Sequence, residues 1–285
     1  MTKLTPNDFA ACILVTKDDF CLFEVCKRLY EEGVRSFFFA IPNEYWSGDI
    51  TSKSAIDEVR QISQELKLAF LGANVNLNVV DVKPHRKPGL RRTQVEASVR
   101  NEVLRIIRGH GLNHVLVVDG DELWRRGYVK KLVDLVSRER PRALSLGMIP
   151  TIGVPGLPIE GATDSATAYL GPDSWHTECR GVEGAETLLN PRAIIHFTAT
   201  RKTMDEVIRK HRASGHYDDP SYAFEDWFVK TLPFIKPGMR NVHMFTPYQI
   251  WPLVRDWSLD EWNEIPESIR PYLQAPSQSH RDATR

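Results

Sequence analysis

Two carboxylates, Asp119 and Asp121, stand at the end of the run His114-Val115-Leu116-Val117-Val118-Asp119-Gly120-Asp121-Glu122-Leu123. Val115 to Val118 are four consecutive apolar residues, three of them β-branched, which predicts a strand buried on both faces. Asp119 and Asp121 are two positions apart, so on an extended backbone their side chains point the same way. Gly120 between them allows a sharp turn and a close approach by a ligand. Hard carboxylate oxygens suit Mg²⁺ or Mn²⁺, ions usually held by one or two carboxylates together with substrate phosphates. The chemistry on offer is a divalent cation gripping a nucleotide diphosphate. A solvated Asp-Gly turn after a strand would look the same at this spacing.

The elements that must position this pair follow in chain order. Residues 10–16 (AACILVT) predict a first buried strand. Residues 20–32 carry Phe20, Phe23, Val25, Cys26, Leu29 and Tyr30 at helical spacing, with Gly33 as a stop. A second strand (36–41), a helix (54–66) and a third strand (76–82) come next. Thr93 is placed to cap a helix running to about Arg108, with Glu96 completing a capping box. The acid-tipped strand is therefore the fourth in a β-α-β-α-β-α-β series, which is how a mostly parallel, doubly wound sheet is written in sequence. Such sheets bind ligands at the carboxyl ends of their strands. Beyond the acids, a helix (128–138), a strand (142–149), a Gly/Pro/Thr/Asp-rich stretch (150–190) and a late strand (193–197) follow. Thr203, with Glu206, caps a helix to about Ala213, and Ser258 with Glu261 opens a short one. Residues 1–273 read as one α/β domain, about 1–125 forming a nucleotide half and 126–273 a smaller acceptor half. Residues 274–285 read as a disordered tail.

Composition excludes several classes. The chain has 285 residues, with Lys+Arg and Asp+Glu at 37 each, so net charge argues for neither nucleic acid nor a membrane surface. Cys12, Cys21, Cys26 and Cys179 show neither paired metal spacing nor a disulfide framework, which suits a reducing, cytoplasmic setting. No apolar run approaches the roughly 20 residues of a membrane span.

The Asp119-Gly120-Asp121 turn, four strands into the chain, resembles the DxD motif of GT-A fold glycosyltransferases. A second segment, Ile195-His196-Phe197-Thr198-Ala199-Thr200-Arg201-Lys202, is similar to the His-x-x-Gly-x-x-Lys-Pro-Trp segment of retaining members, departing from it at Ala199 and at Thr203-Met204. The resemblance implies that Asp121 and His196 hold Mn²⁺ or Mg²⁺, that Asp119 shares the ion or holds the ribose or a metal-bound water, and that Lys202 contacts the diphosphate. It implies a donor of the UDP- or GDP-sugar type and a hydroxyl-bearing acceptor, a glycan or a modified DNA base. It also places Thr16, Lys17, Asp18 and Asp19, at the exit of the first strand, on the nucleotide base and ribose. Arg100-Asn101 and Glu225-Asp226 are similar to features of inverting relatives.

Each of these residues has a plainer reading. His196 can be a core histidine, Lys202 a solvated lysine before a helix, and Asp18 or Asp19 a helix cap. Asp81, ending the third strand, can accept from the base or ribose or cap the chain locally. Arg86, Arg91 and Arg92 form a basic cluster on the diphosphate side, or a solvated face. Glu225 and Asp226 lead as the base that deprotonates an acceptor, with Asp218, Asp219 and Glu178 as rivals; acids in a first helical turn also suit the macrodipole. Trp46 and Trp175 are candidates for stacking on a sugar or base. His176 and Cys179 alone do not make a zinc site. Two other functions use a similar sheet: a sugar-phosphate nucleotidyltransferase, which would want a Gly-rich basic loop after the first strand, and a non-catalytic nucleotide-sugar-binding module. An aspartyl-phosphate phosphatase would carry its acids after the first strand.

Overall fold

The computed structural model describes residues 3–15, 20–44, 75–85, 87–160, 165–188, 192–217, 219–244 and 253–276, with isolated positions in 57–65. The chain begins with β1 (Phe9–Leu14), α1 (Leu22–Glu31), β2 (Ser36–Pro42) and β3 (Asn76–Val82). It continues with α2 (Arg92–Gly109), β4 (His114–Asp119) and β5 (Glu122–Trp124). Next come α3 (Tyr128–Glu139), β6 (Ala143–Ile152), β7 (Leu157–Glu160), β8 (Ser165–Leu170) and β9 (Glu186–Leu188). The chain ends with β10 (Ile194–Ala199), α4 (Met204–Ala213), α5 (Phe224–Lys230), β11 (Leu253–Val254) and α6 (Leu259–Glu264).

The central sheet is mixed α/β in class, with a parallel core in the order β3-β2-β1-β4 flanked by helices. Antiparallel pairing enters at β8, which links β4 to β6, and β6 in turn carries β10 in parallel. β1 shows why the centre is buried on both faces. Phe9, Ala11 and Ile13 pack with α1 residues Val25, Cys26 and Leu29, whereas Ala10, Cys12 and Leu14 pack with α2 residues Val95, Val99 and Val103. A strand covered on both sides has no polar positions to alternate, hence its continuous apolar sequence.

The first strand and helix, the second to fourth strands and the helix beginning at Tyr128 fall where the periodicity predicts them. The predicted helix at 54–66 lies outside the described residues apart from isolated positions. Thr93 does not cap α2. The helix starts two residues earlier, with the Gln94 side chain accepting from the Arg91 N–H at 3.0 Å, and Glu96 turns inward to Arg100. A buried arginine outcompetes a helix end as partner for that carboxylate, because its charge has no solvent to fall back on. Thr203 does cap α4, accepting from the Glu206 N–H at 3.2 Å, but the Glu206 carboxylate accepts from Lys202 N–H rather than closing the box. The Ser258–Glu261 box forms as expected. The start of the predicted tail is ordered: Gln274 donates to the Gly156 carbonyl at 3.1 Å, and 277–285 lie outside the described residues.

Cys12, Cys21 and Cys26 are buried free thiols and Cys179 is a half-buried one. No helix among the described residues is long and apolar enough to cross a membrane.

Candidate active site

β4 and β1 run side by side with Leu14 opposite Asp119, and Gly120 N–H donates to the Leu14 carbonyl at 3.0 Å. The acidic turn therefore sits at the carboxyl edge of the parallel core, beside the exit of its first strand. The chain then enters β5, which pairs antiparallel with β10 so that Glu122 lies opposite His196. Phe197 N–H donates to the Asp121 carbonyl at 2.9 Å, tying the late strand to the acidic turn. In this way two segments 75 residues apart, 121 and 196, meet at one strand edge.

Asp121 is almost fully buried, and its environment is cationic. Arg201, with no exposed surface, donates to Oδ2 at 2.8 Å while its other nitrogen holds the Phe197 and Thr200 carbonyls. Lys210, from α4, also donates to Oδ2, and to the Thr198 carbonyl at 3.0 Å. His196 Nε2 is 3.6 Å from Oδ1. Burial alone would raise the Asp121 pKa; Lys210, Arg201 and His196 outweigh it and hold the carboxyl well below its usual range. Burial would correspondingly lower the His196 pKa, but the Asp121 charge reverses that and raises it.

Asp119 is placed differently. Arg100 donates to Oδ1 at 2.8 Å and Arg180 to Oδ2 at 3.3 Å. These two guanidinium groups overcome the cost of burial and lower the Asp119 pKa. Arg100 is itself fixed by Glu96, at 2.8 and 3.2 Å. Arg180 arrives on a loop that runs back along α2. In that loop Arg108 holds the Gly171 and Ser174 carbonyls, Asn101 brackets the backbone of His176, and Cys179 N–H donates to the Thr93 carbonyl. The acidic turn thus carries two neighbouring ion-pair clusters: Glu96, Asp119 and Glu122 with Arg100 and Arg180, and Asp121 with Arg201 and Lys210.

The three expected metal ligands are only partly together. Asp121 Oδ1 and His196 Nε2 lie closer to one another than two bonds of about 2.1 Å placed end to end, so one small divalent ion can touch both. Both Asp119 oxygens have arginine partners. Among the described residues no three His, Cys, Asp or Glu side chains gather as a metal cluster. The donor set, one carboxylate and one imidazole, fits an ion with two protein ligands and the rest from water and phosphate, and the nitrogen suits Mn²⁺ better than Mg²⁺.

Other expected residues fall elsewhere. Lys202 does not reach Asp121: its ammonium lies 5.7 Å from the centre of the Tyr272 ring. Arg92 begins α2, stacks 5.6 Å from the Tyr217 ring and donates to the Arg212 carbonyl. Asp81 is exposed on the edge strand β3, three strands from β4. Glu225 receives two hydrogen bonds of 2.9 Å from Arg212 and one of 2.5 Å from Tyr217, while Asp226 pairs with Lys230 at 2.9 Å. Lys210 and Arg212 are two apart on α4, about 200° around the helix, so the Glu225 pair lies on the face turned away from Asp121. Trp175 is partly exposed and stacks under the Arg108 guanidinium, 4.1 Å away. Thr16, Lys17, Asp18, Asp19, Trp46, Arg86 and Asp218 lie outside the described residues.

Sequence reasoning missed Lys210, Arg201, Arg180 and Glu122. Lys210 is an unremarkable helix lysine, and its signal was only that a capped helix follows the His196 strand directly. Glu122 had a visible signal, a third acid in a run whose next residue is apolar.

No family model matches the chain, and no curated protein is significantly similar to it. Among solved structures it is similar to S. aureus TarS 1-349 in complex with UDP-GlcNAc. That likeness has a TM-score of 0.43 at 14% identity, covering 78% of this chain and 70% of that one. TarS 1-349 without that ligand gives 0.41 at 14% identity, over 77% and 69%. HddC from Yersinia pseudotuberculosis complexed with GMP-PN gives 0.28 at 9% identity, over 66% and 88%.

Proposed function

We propose that the protein is a glycosyltransferase that moves a sugar from a UDP- or GDP-sugar to an acceptor hydroxyl. One observation carries this reading: Asp121, His196 and Lys210, from three separate elements, converge at the carboxyl edge of the parallel core. Breaking the anomeric C–O bond of a nucleotide sugar leaves negative charge on the diphosphate, and fixed positive groups lower the barrier by meeting that charge as it grows. Lys210 is about one-fifth exposed and Arg201 not at all, so Lys210 is the cation an arriving phosphate meets. Arg201 keeps Asp121 ionised and in place. Mn²⁺ or Mg²⁺, held by Asp121 and His196, would supply further Lewis-acid stabilisation of the leaving diphosphate. Asp119, gripped by two arginines, serves the nucleotide side of the site rather than the ion.

A second reading has its own observation. Asp121 already has Arg201, Lys210 and His196 around it, and with His196 protonated these groups could neutralise the diphosphate with no metal. Turnover of UDP-GlcNAc and GDP-mannose should be followed with Mn²⁺, with EDTA and in Asp121→Ala. Donor turnover abolished by EDTA and by the substitution supports the metal-dependent enzyme. Turnover indifferent to EDTA but lost in Asp121→Ala supports the metal-free form, and turnover unaffected by Asp121→Ala refutes both.

A further inference from the structure

Glu122 has no exposed surface, yet it is a carboxylate next to two others. Burying a charge is costly unless good partners meet it. Its partners are specific. Oε2 accepts from the Asp119 backbone N–H at 3.0 Å, and Oε1 accepts from Arg180 Nη1. That same Nη1 donates to Asp119 Oδ2 at 3.3 Å. Both links from Glu122 therefore end on Asp119, one through its amide and one through the guanidinium on its carboxylate. Arg180 cannot drift, because its remaining nitrogens hold the Val117 carbonyl at 2.8 Å and the Thr167 carbonyl at 2.7 and 3.2 Å. Asp119 itself keeps a quarter of its side chain exposed, at the mouth of the site.

We propose that Glu122 is a positioning residue: with Arg180 it forms a buried bracket that fixes the place and direction of Asp119 and thereby the affinity of the site for a nucleoside diphosphate. This rests on the glycosyltransferase reading above. The bracket explains why an acid that touches nothing exposed sits in the strand directly after the turn. It also explains why the loop along α2 is pinned at Thr93, Asn101 and Arg108, since that loop delivers Arg180.

The test is binding of UDP and of GDP to the full chain by calorimetry, with Mn²⁺ and with EDTA, in the wild type, Glu122→Gln and Arg180→Lys, with thermal unfolding of each. Glutamine keeps an acceptor for the Asp119 N–H and loses the charge that faces Arg180. Both variants should bind at least about tenfold more weakly at a temperature well below their unfolding midpoints. The double variant should lose little more than either single one, because the two residues act as a unit. Binding within twofold of wild type in a folded Glu122→Gln overturns the role. If that variant does not fold, Arg180→Lys decides by the same criterion. A wild type that binds neither nucleotide overturns the site reading along with the role, whereas wild-type binding with unaffected variants overturns the role alone.

Discussion

The two faces of α4 carry similar residues in opposite circumstances. On one face Lys210 meets a buried Asp121 already held by Arg201; on the other Arg212 meets an exposed Glu225 held also by Tyr217. Both are acid–base pairs of good geometry. Exposed pairs are screened and contribute little, whereas removing one partner of a buried pair strands the other charge and costs on the order of 3–5 kcal/mol. The difference teaches where charge has been placed at a cost. Near Asp121 the chain has gathered Arg201, Lys210 and His196 around one buried acid beside a strand edge, an expensive arrangement without a ligand to justify it. Around Glu225 the charges cost almost nothing, and they decide little.

The comparison is broken most directly at Lys210. Lys210→Ala should lower kcat/KM for the donor on the order of 100-fold, in line with removing a charged donor from developing negative charge. Lys202→Ala should stay within about twofold, since its ammonium faces Tyr272. Steady-state kinetics on both variants checks this. The reverse ranking would return the phosphate contact to Lys202 and detach α4 from the site.

That pair of lysines also marks how far the sequence could be read. The parallel core was legible because a strand buried on both faces must be continuously apolar, as Ile13 and Val117 illustrate. The acidic turn was legible because its spacing is local. The Asp121–His196 encounter was implied by the resemblance of two local segments, each led into by an apolar run, although β10 continues past His196 to Ala199. Lys210 was not, because which of several lysines reaches a distant carboxylate depends on the rotation of a helix about its axis. Arg180 was still harder to find, since it lies in an irregular loop whose course is set by contacts with α2. Glu225 and Asp226 were favoured by residue type alone, and residue type is silent on which side of a helix they lie.

Acid titration sharpens the contrast between buried and exposed charge. His176 lies in the loop along α2, and burial, then the nearby Arg100 charge, lowers its pKa from 6.5 to about 3. The unfolded chain takes up a proton near 6.5 that the folded chain refuses until about 3. Stability from this group is therefore complete above pH 6.5 and declines as the pH falls toward 3, by at most on the order of 5 kcal/mol. The carboxyls of Asp119 and Asp121, whose pKa values are lowered, lose their contribution as the pH falls through the ordinary carboxylate range and below it, whereas His211 and His114, also lowered by burial, add to the limb between pH 6.5 and about 4.5, so the share of His176 is read as the difference between wild type and variant. Urea unfolding at several pH values should show that slope in the wild type and a flatter one in His176→Gln. Equal slopes would mean that the imidazole is solvated in the folded chain.

The smallest effect belongs to Glu225. Hydrogen bonds from Arg212 and Tyr217 lower its pKa to about 2, and the group is exposed. A carboxylate that acidic is a poor proton acceptor at neutral pH, where a general base works best with a pKa close to the ambient value. Glu225→Gln should therefore change kcat by no more than about threefold and the unfolding midpoint by roughly 2 °C or less. Kinetics and a thermal scan on that variant are sufficient. A loss of 100-fold or more in kcat, with the fold intact, would mean that donor binding rotates α4 or draws α5 across it to bring the far face to Asp121. The distinction between the two faces would then not hold with donor bound, and the search for the acceptor's base would return to the first turn of α5.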